Sequence, residues 1–149
     1  MNEQTPGVVL AHPLMRELLT LRLPPDDFVI FGSGPLLAHG LREDLGDLDL
    51  VARGAAWRAA GRLGAPGSGG ITGDELFRCC NGRINVFQQW ISPSWDPDDL
   101  IDNAEVIGGL RFAPLTEVLA YKLILRRPKD LPDIRAIKRS LDQQHHRPC

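Results

Sequence analysis

Two aspartates one residue apart, Asp47 and Asp49 in Gly46-Asp47-Leu48-Asp49-Leu50, carry the densest chemical signal in this chain. In a strand the side chains at i and i+2 leave the same face, so Asp47 and Asp49 share one face while Leu48 and Leu50 point to the core. Two carboxylates that close repel and raise each other's pKa. A cation bound by both removes that cost, and hard carboxylate oxygens suit Mg2+. On the Asp-Leu-Asp-Leu pattern alone, the simpler explanation is strand entry at Gly46-Asp47 with Asp49 an exposed edge residue.

Gly32-Ser33 shifts that balance. The run Phe28-Val29-Ile30-Phe31 is continuous, apolar and bounded by turn residues, as a short buried strand requires. It ends on Gly32-Ser33, followed by Gly34-Pro35 at the start of a predicted helix. A strand that ends in Gly-Ser before a helix offers an anion backbone N–H groups, a helix dipole and a hydroxyl. Glycine at positions 32 and 34 allows the close backbone approach that such a cradle needs. Lys122 adds a second feature, because Val118 to Leu125 is apolar nearly all round the helix and a lone ammonium is costly there. It either snorkels to water or meets an anion.

Phe31-Gly32-Ser33, the thirteen residues from Gly34 to Gly46, and Asp47-Leu48-Asp49-Leu50 together resemble the signature of the polymerase-β-like nucleotidyltransferase superfamily. The later segment YKLILRRPKDLPDI resembles the Lys…Arg-x-x-Lys-Asp-x-x-Asp helix region of small bacterial nucleotidyltransferase-like proteins, toxin-type members included. The resemblance runs roughly from Phe28 to Ile137. It implies that Gly32 and Ser33 hold the triphosphate of an NTP, with Lys122 on phosphate. Asp47 and Asp49 would then be the catalytic carboxylates that bind Mg2+ (or Mn2+). The implied reaction moves a nucleoside monophosphate to an acceptor hydroxyl and releases pyrophosphate; the acceptor is a small molecule, an RNA end or a protein. Lys129 and Asp130 are secondary candidates, although Asp130 also suits a helix cap and Asp133 a first helical turn.

The chain departs from the superfamily at one corner. Active members usually carry a third carboxylate mid-strand, and the matching segment Ile84-Asn85-Val86 has Asn85 there. An amide oxygen can ligate a metal but cannot act as a base. Asn81-Gly82 is a strong hairpin signal, and counting back from it sets Arg78 opposite Asn85 on the same face. An arginine there would repel a second Mg2+ and attract phosphate, or it is simply an exposed hairpin residue beside a polar neighbour. Glu75 or Glu105 could replace the missing carboxylate in space. A catalytically degraded relative that binds nucleotide or a protein partner is therefore the alternative to an active enzyme.

The elements that must position these residues read in the order α-β-α-β-α-β-β-β-α-α. Helices are predicted over residues 13–23, 35–45, 55–63, 114–127 and 131–141. Strands are predicted over 28–31, 47–52, 76–80, 83–90 and 104–112, with Gly108-Gly109 a bulge or bend. This is an α/β (α+β) fold: a mixed sheet of about five strands, flanking helices and a C-terminal helical pair, in one domain over residues 1–149. Residues 64–73 carry five glycines without a Walker-type Lys-Ser/Thr ending, and read as a loop that either moves over a ligand or connects at the surface.

Composition narrows the function classes. No apolar run approaches a membrane helix and the start lacks a signal-peptide pattern, so the expectation is cytoplasmic with no membrane partner. A net charge of −2 provides no global field for nucleic acid, and no strong general nucleic-acid binding is expected. That charge divides into −7 over residues 1–110 and +5 from Arg111 onward, a polarity that suits a metal and a polyphosphate or, more simply, a solvated basic helical surface. Cys79 and Cys80 lack metal or redox spacing and read as packing residues. His145-His146 reads as a solvated tail.

Overall fold

The structure, a computed structural model, describes residues 6–69, 73–90 and 94–145. Its helices are α1 (Pro6–Ala11), α2 (Pro13–Thr20), α3 (Gly34–Ala38), α4 (Gly54–Leu63), α5 (Pro97–Asp102), α6 (Leu115–Leu125) and α7 (Leu131–His145). Its strands are β1 (Phe28–Phe31), β2 (Leu48–Ala52), β3 (Ala65–Ser68), β4 (Glu75–Cys79), β5 (Ile84–Phe87), β6 (Glu105–Ile107) and β7 (Leu110–Phe112). They form one mixed sheet in the order β3-β4-β5-β2-β1-β7-β6. Among the described residues no helix is long and apolar enough to cross a membrane.

Strand alternation divides the core in two. Phe28, Ile30, Leu48, Leu50, Ile84 and Val86 face one side and pack with Leu14, Met15 and Leu18 of α2 and Ala56 and Ala60 of α4. Val29, Phe31 and Val51 face the other side, against Leu100 and Ile101 of α5, Val118 and Tyr121 of α6 and Ile137 of α7. The sheet is therefore the middle of three layers, and its central strands β1 and β2 are buried on both faces.

The sheet has seven strands where about five were expected, for two reasons. Residues 104–112 are a hairpin, β6 and β7, in which Gly108-Gly109 is the two-residue turn rather than a bulge. Residues 64–73, expected as a loop, contain β3, whose Ala-Pro-Gly-Ser composition has no strand periodicity. It exists by pairing along β4, from Ala65 opposite Arg78 to Ser68 opposite Glu75. Residues 70–72 of the same glycine-rich stretch lie outside the described residues, as do His146 and Cys149.

Helix α3 stops at Ala38, well short of the predicted residue 45. Gly40 at φ +72° ends it. Leu41 N–H donates to the Leu36 carbonyl at 2.8 Å and Gly40 N–H to that of Leu37 at 3.1 Å, a Schellman closure. The chain from His39 to Asp47 is thereby freed from the helix to form a wall. Side-chain contacts pin it at three points: His39 to Glu105 at 2.6 Å, Arg42 to Asp133 at 3.2 Å and Asp44 to His12 at 2.9 Å.

Candidate functional site

The register puts the sequence-predicted residues side by side. β1 and β2 run antiparallel with Phe31 opposite Asp49, β2 and β5 run parallel with Asp49 opposite Asn85, and β4 and β5 run antiparallel with Arg78 opposite Asn85. Paired residues share a face, so Phe31, Asp49, Asn85 and Arg78 form one row across four strands. The Arg78–Asn85 pairing is the one the hairpin count predicts, although the strands separate one pair earlier, after Cys79–Ile84.

Where that row meets the ends of β1 and β2, a cavity of about 600 Å³ opens. Gly32, Ser33, Asp47, Asp49, Lys122, Lys129 and Asp130 all line it, together with Arg42, Tyr121, Arg127 and Asp133. Gly32 sits at φ +60°, and a Cβ there would lie 2.9 Å from Asp49 Oδ2. The strand-end turn is thus backed directly onto the carboxylate, a contact that glycine alone permits.

Asp49 is half-buried at the base of the cavity. Burial, reinforced by the neighbouring Asp47 charge, pushes its carboxyl up from 3.8 to about 7. A hydrogen bond from Asn85 and the charges of Lys122 and Lys129 pull the other way without cancelling the rise. Among the described residues no group of three or more His, Cys, Asp or Glu side chains is gathered as a metal centre. The fit to a hard cation rests on the donor set: two repelling carboxylate groups in an open cavity that also holds basic side chains. Mg2+ is commonly held in this way, by one or two carboxylates with waters and substrate phosphates completing the shell.

The raised pKa has a stability consequence. Between pH 4 and 7 the unfolded chain ionises Asp49 while the folded protein keeps it protonated, so metal-free stability falls as pH rises and levels off above pH 7. Asp49→Asn removes that cost. Denaturant unfolding in the absence of divalent metal is expected to show the variant more stable than wild type above pH 7 by about 2–4 kcal/mol, with the difference gone below pH 4. Equal stability at pH 8 would mean that Asp49 is not held in a charge-hostile position.

The basic end of the cavity is a buried ion network. Lys122 is only 3% exposed, so it does not snorkel. Its ammonium donates to Ser33 Oγ at 3.1 Å and Asp130 Oδ1 at 3.3 Å and is ion-paired with Asp133 Oδ2 at 3.1 Å. Arg127 closes the far side, donating to both carboxylate oxygens of Asp130 and to Tyr121 Oη. Burial works against the Asp130 carboxylate, yet the Arg127 hydrogen bonds and the Lys122 charge hold it below the usual range. Asp130 also accepts from the Arg127 backbone N–H, a bond that closes the short 3-10 turn Pro128–Asp130 ahead of α7 and coexists with the ion pair. Because Ser33 Oγ accepts from Lys122, its own hydroxyl proton remains to be donated.

Not every predicted residue reaches the cavity. Arg78 turns toward β3, with Nη2 donating to the Ser68 carbonyl at 3.3 Å. Asn85 acts through Asp49 and donates its other contact to the Gly82 carbonyl at 3.2 Å. Glu75 lies on β4 beside the edge strand β3, and Glu105 is held by His39; neither lines the cavity. Conversely, sequence reasoning passed over Arg42, Tyr121 and Arg127 as cavity residues and gave Asp133 a helix-start role and a place in the Asp-x-x-Asp stretch, without a role in the cavity. Arg42 and Asp133 meet across 91 positions with no local pattern to announce them. No family model, curated protein or solved structure matches the chain.

Proposed function

We propose that the chain is an Mg2+-dependent nucleotidyltransferase, with Mn2+ able to substitute, that moves a nucleoside monophosphate from an NTP to the hydroxyl of a small molecule, an RNA end or a protein. One observation carries the reading: a single cavity is lined at one end by Asp47 and Asp49 and at the other by Ser33 and the basic side chains, with Gly32 packed against Asp49 between them. Asp47 and Asp49 would hold the metal. Bound there, Mg2+ supplies charge neutralisation and in-line alignment for phosphoryl transfer. Ser33, its oxygen fixed by Lys122, directs its proton to a phosphate oxygen, while Gly32 lets the turn close onto Asp49. The test is incubation of the protein with each labelled NTP, Mg2+ or Mn2+, and cell extract. Label transferred to an extract component supports the reading, and no transfer from any NTP counts against it.

Asn85 favours a second reading, in which the protein binds nucleotide or a partner without transfer. The third-carboxylate position carries an amide that is committed to Asp49 and to the Gly82 carbonyl, with no basic atom for an acceptor proton. Asn85→Asp is expected to raise Mg2+ affinity roughly tenfold by adding a negative charge beside Asp49. Transfer by that variant but not by wild type selects the second reading, whereas transfer by both selects the first.

A further inference from the structure

Resting on the nucleotide reading of the cavity, we infer that the polyphosphate is held by Arg42, on the wall between α3 and β2, together with Lys129, and that Lys122 is a positioning residue that does not touch it. What each cation already holds decides between them. Lys122 donates to Ser33 and Asp130, is ion-paired with Asp133, and is almost fully enclosed. Contact with phosphate would require it to leave a buried carboxylate, which is costly. Arg127 is committed through Nε and Nη2 to Asp130 and Tyr121.

Arg42 differs from both. Its side chain is 38% exposed and lines the cavity, and it spends one contact, from Nη1 to Asp133 Oδ2 at 3.2 Å. That contact anchors the guanidinium and leaves most of its five donors for a ligand, in the planar fork that matches phosphate oxygens. Lys129 is exposed, lines the same cavity and acts on the Asp49 charge. Charge balance agrees. Among the described residues Arg42, Lys122 and Arg127 share Asp130 and Asp133 as their carboxylate partners, so with Lys129 the basic end keeps a surplus of positive charge beside Asp47 and Asp49. Arg42 also lies on the segment that leads into Asp47, so a phosphate bound by Arg42 is presented to the carboxylate end by the same stretch of chain.

The experiment is equilibrium binding of Mg2+-tripolyphosphate, pyrophosphate, orthophosphate and the four NTPs at fixed ionic strength. The proteins compared are wild type, Arg42→Ala, Arg42→Lys and Lys129→Ala, with thermal midpoints measured alongside. Arg42→Ala is expected to weaken tripolyphosphate binding by roughly tenfold or more and to flatten the preference for longer phosphate chains. Arg42→Lys recovers part of the loss. Should Arg42→Ala lower the thermal midpoint, Lys129→Ala carries the test from an exposed position, with a loss of several-fold expected. Tripolyphosphate affinity unchanged in both alanine variants overturns the inference alone. Wild type that binds tripolyphosphate but no NTP overturns the nucleotidyltransferase reading and leaves the phosphate assignment to the same comparison. Wild type that binds neither overturns both.

Discussion

Replacing Asp47 and Asp49 together by asparagine is expected to abolish label transfer from NTP, a loss of roughly a thousandfold or more. A catalytic metal contributes several kcal/mol of transition-state charge stabilisation, and each 1.36 kcal/mol is about tenfold in rate. The double variant removes both anionic ligands, and no other cavity residue outside the ion network supplies a carboxylate in their place. Unfolding does not offer an alternative explanation for the loss. The Asp49 carboxyl is pushed up to about 7 by burial and by Asp47, so the carboxylate pair destabilises the metal-free fold at neutral pH and its removal relieves that strain. Lost transfer in a variant at least as stable as wild type is the combined result to look for in parallel activity and denaturation measurements.

Lys122→Met is expected to destabilise the protein by about 3–5 kcal/mol, read as a drop in denaturant midpoint at pH 7. Removing one partner of a buried ion cluster leaves the others uncompensated, and that loss exceeds what the intact pair contributes. Asp130 is 1% exposed and Asp133 7%, so neither carboxylate can turn to water without rearranging the start of α7. Arg127 and Arg42 would remain as partial partners, which sets the upper bound. The pH dependence has a definite sign. Arg127 and Lys122 hold the Asp130 carboxylate below its usual range, so its stabilising contribution is present above the unfolded-state pKa and is lost as pH falls through the folded value. The gap between wild type and Lys122→Met therefore narrows in acid. Adding Asp130→Asn to Lys122→Met should cost less than the two single changes summed, since the second substitution removes the carboxylate that the first left unpaired.

Much of this site could be read from the chain because its signals are local. Phe28-Val29-Ile30-Phe31 ending on Gly32-Ser33, and Asp47 and Asp49 at strand spacing, each need only a few neighbouring residues to define them. The hairpin register was equally readable: Asn81-Gly82 fixes the pairing arithmetic, and Arg78 meets Asn85 even though the loop is longer than two residues. A single lysine in the apolar helix α6 marked a cation that had either to snorkel or to meet an anion, and it meets buried carboxylates. Its partners were hidden, because Asp130 and Asp133 also fit the local pattern of a helix start, and a carboxylate can satisfy both roles at once.

Part of what the sequence concealed is non-local. β3 has the composition of a loop and owes its extended form to pairing with β4. The early end of α3 depends on a backbone conformation at Gly40, and the apolar spacing through Leu41 continued the helical pattern past the true stop. That truncation is what brings Arg42 over the cavity, so the error in the helix boundary and the omission of Arg42 share one cause.

The most direct test of the central claim, that the two ends of this cavity form one nucleotide–metal site, is equilibrium binding of the four NTPs to the wild-type protein with and without Mg2+. The arrangement predicts that an NTP binds at micromolar to submillimolar concentration only when Mg2+ or Mn2+ is present, and that Asp47→Asn/Asp49→Asn removes the metal dependence. No binding of any NTP at millimolar Mg2+, or binding indifferent to both the metal and the two aspartates, would contradict it.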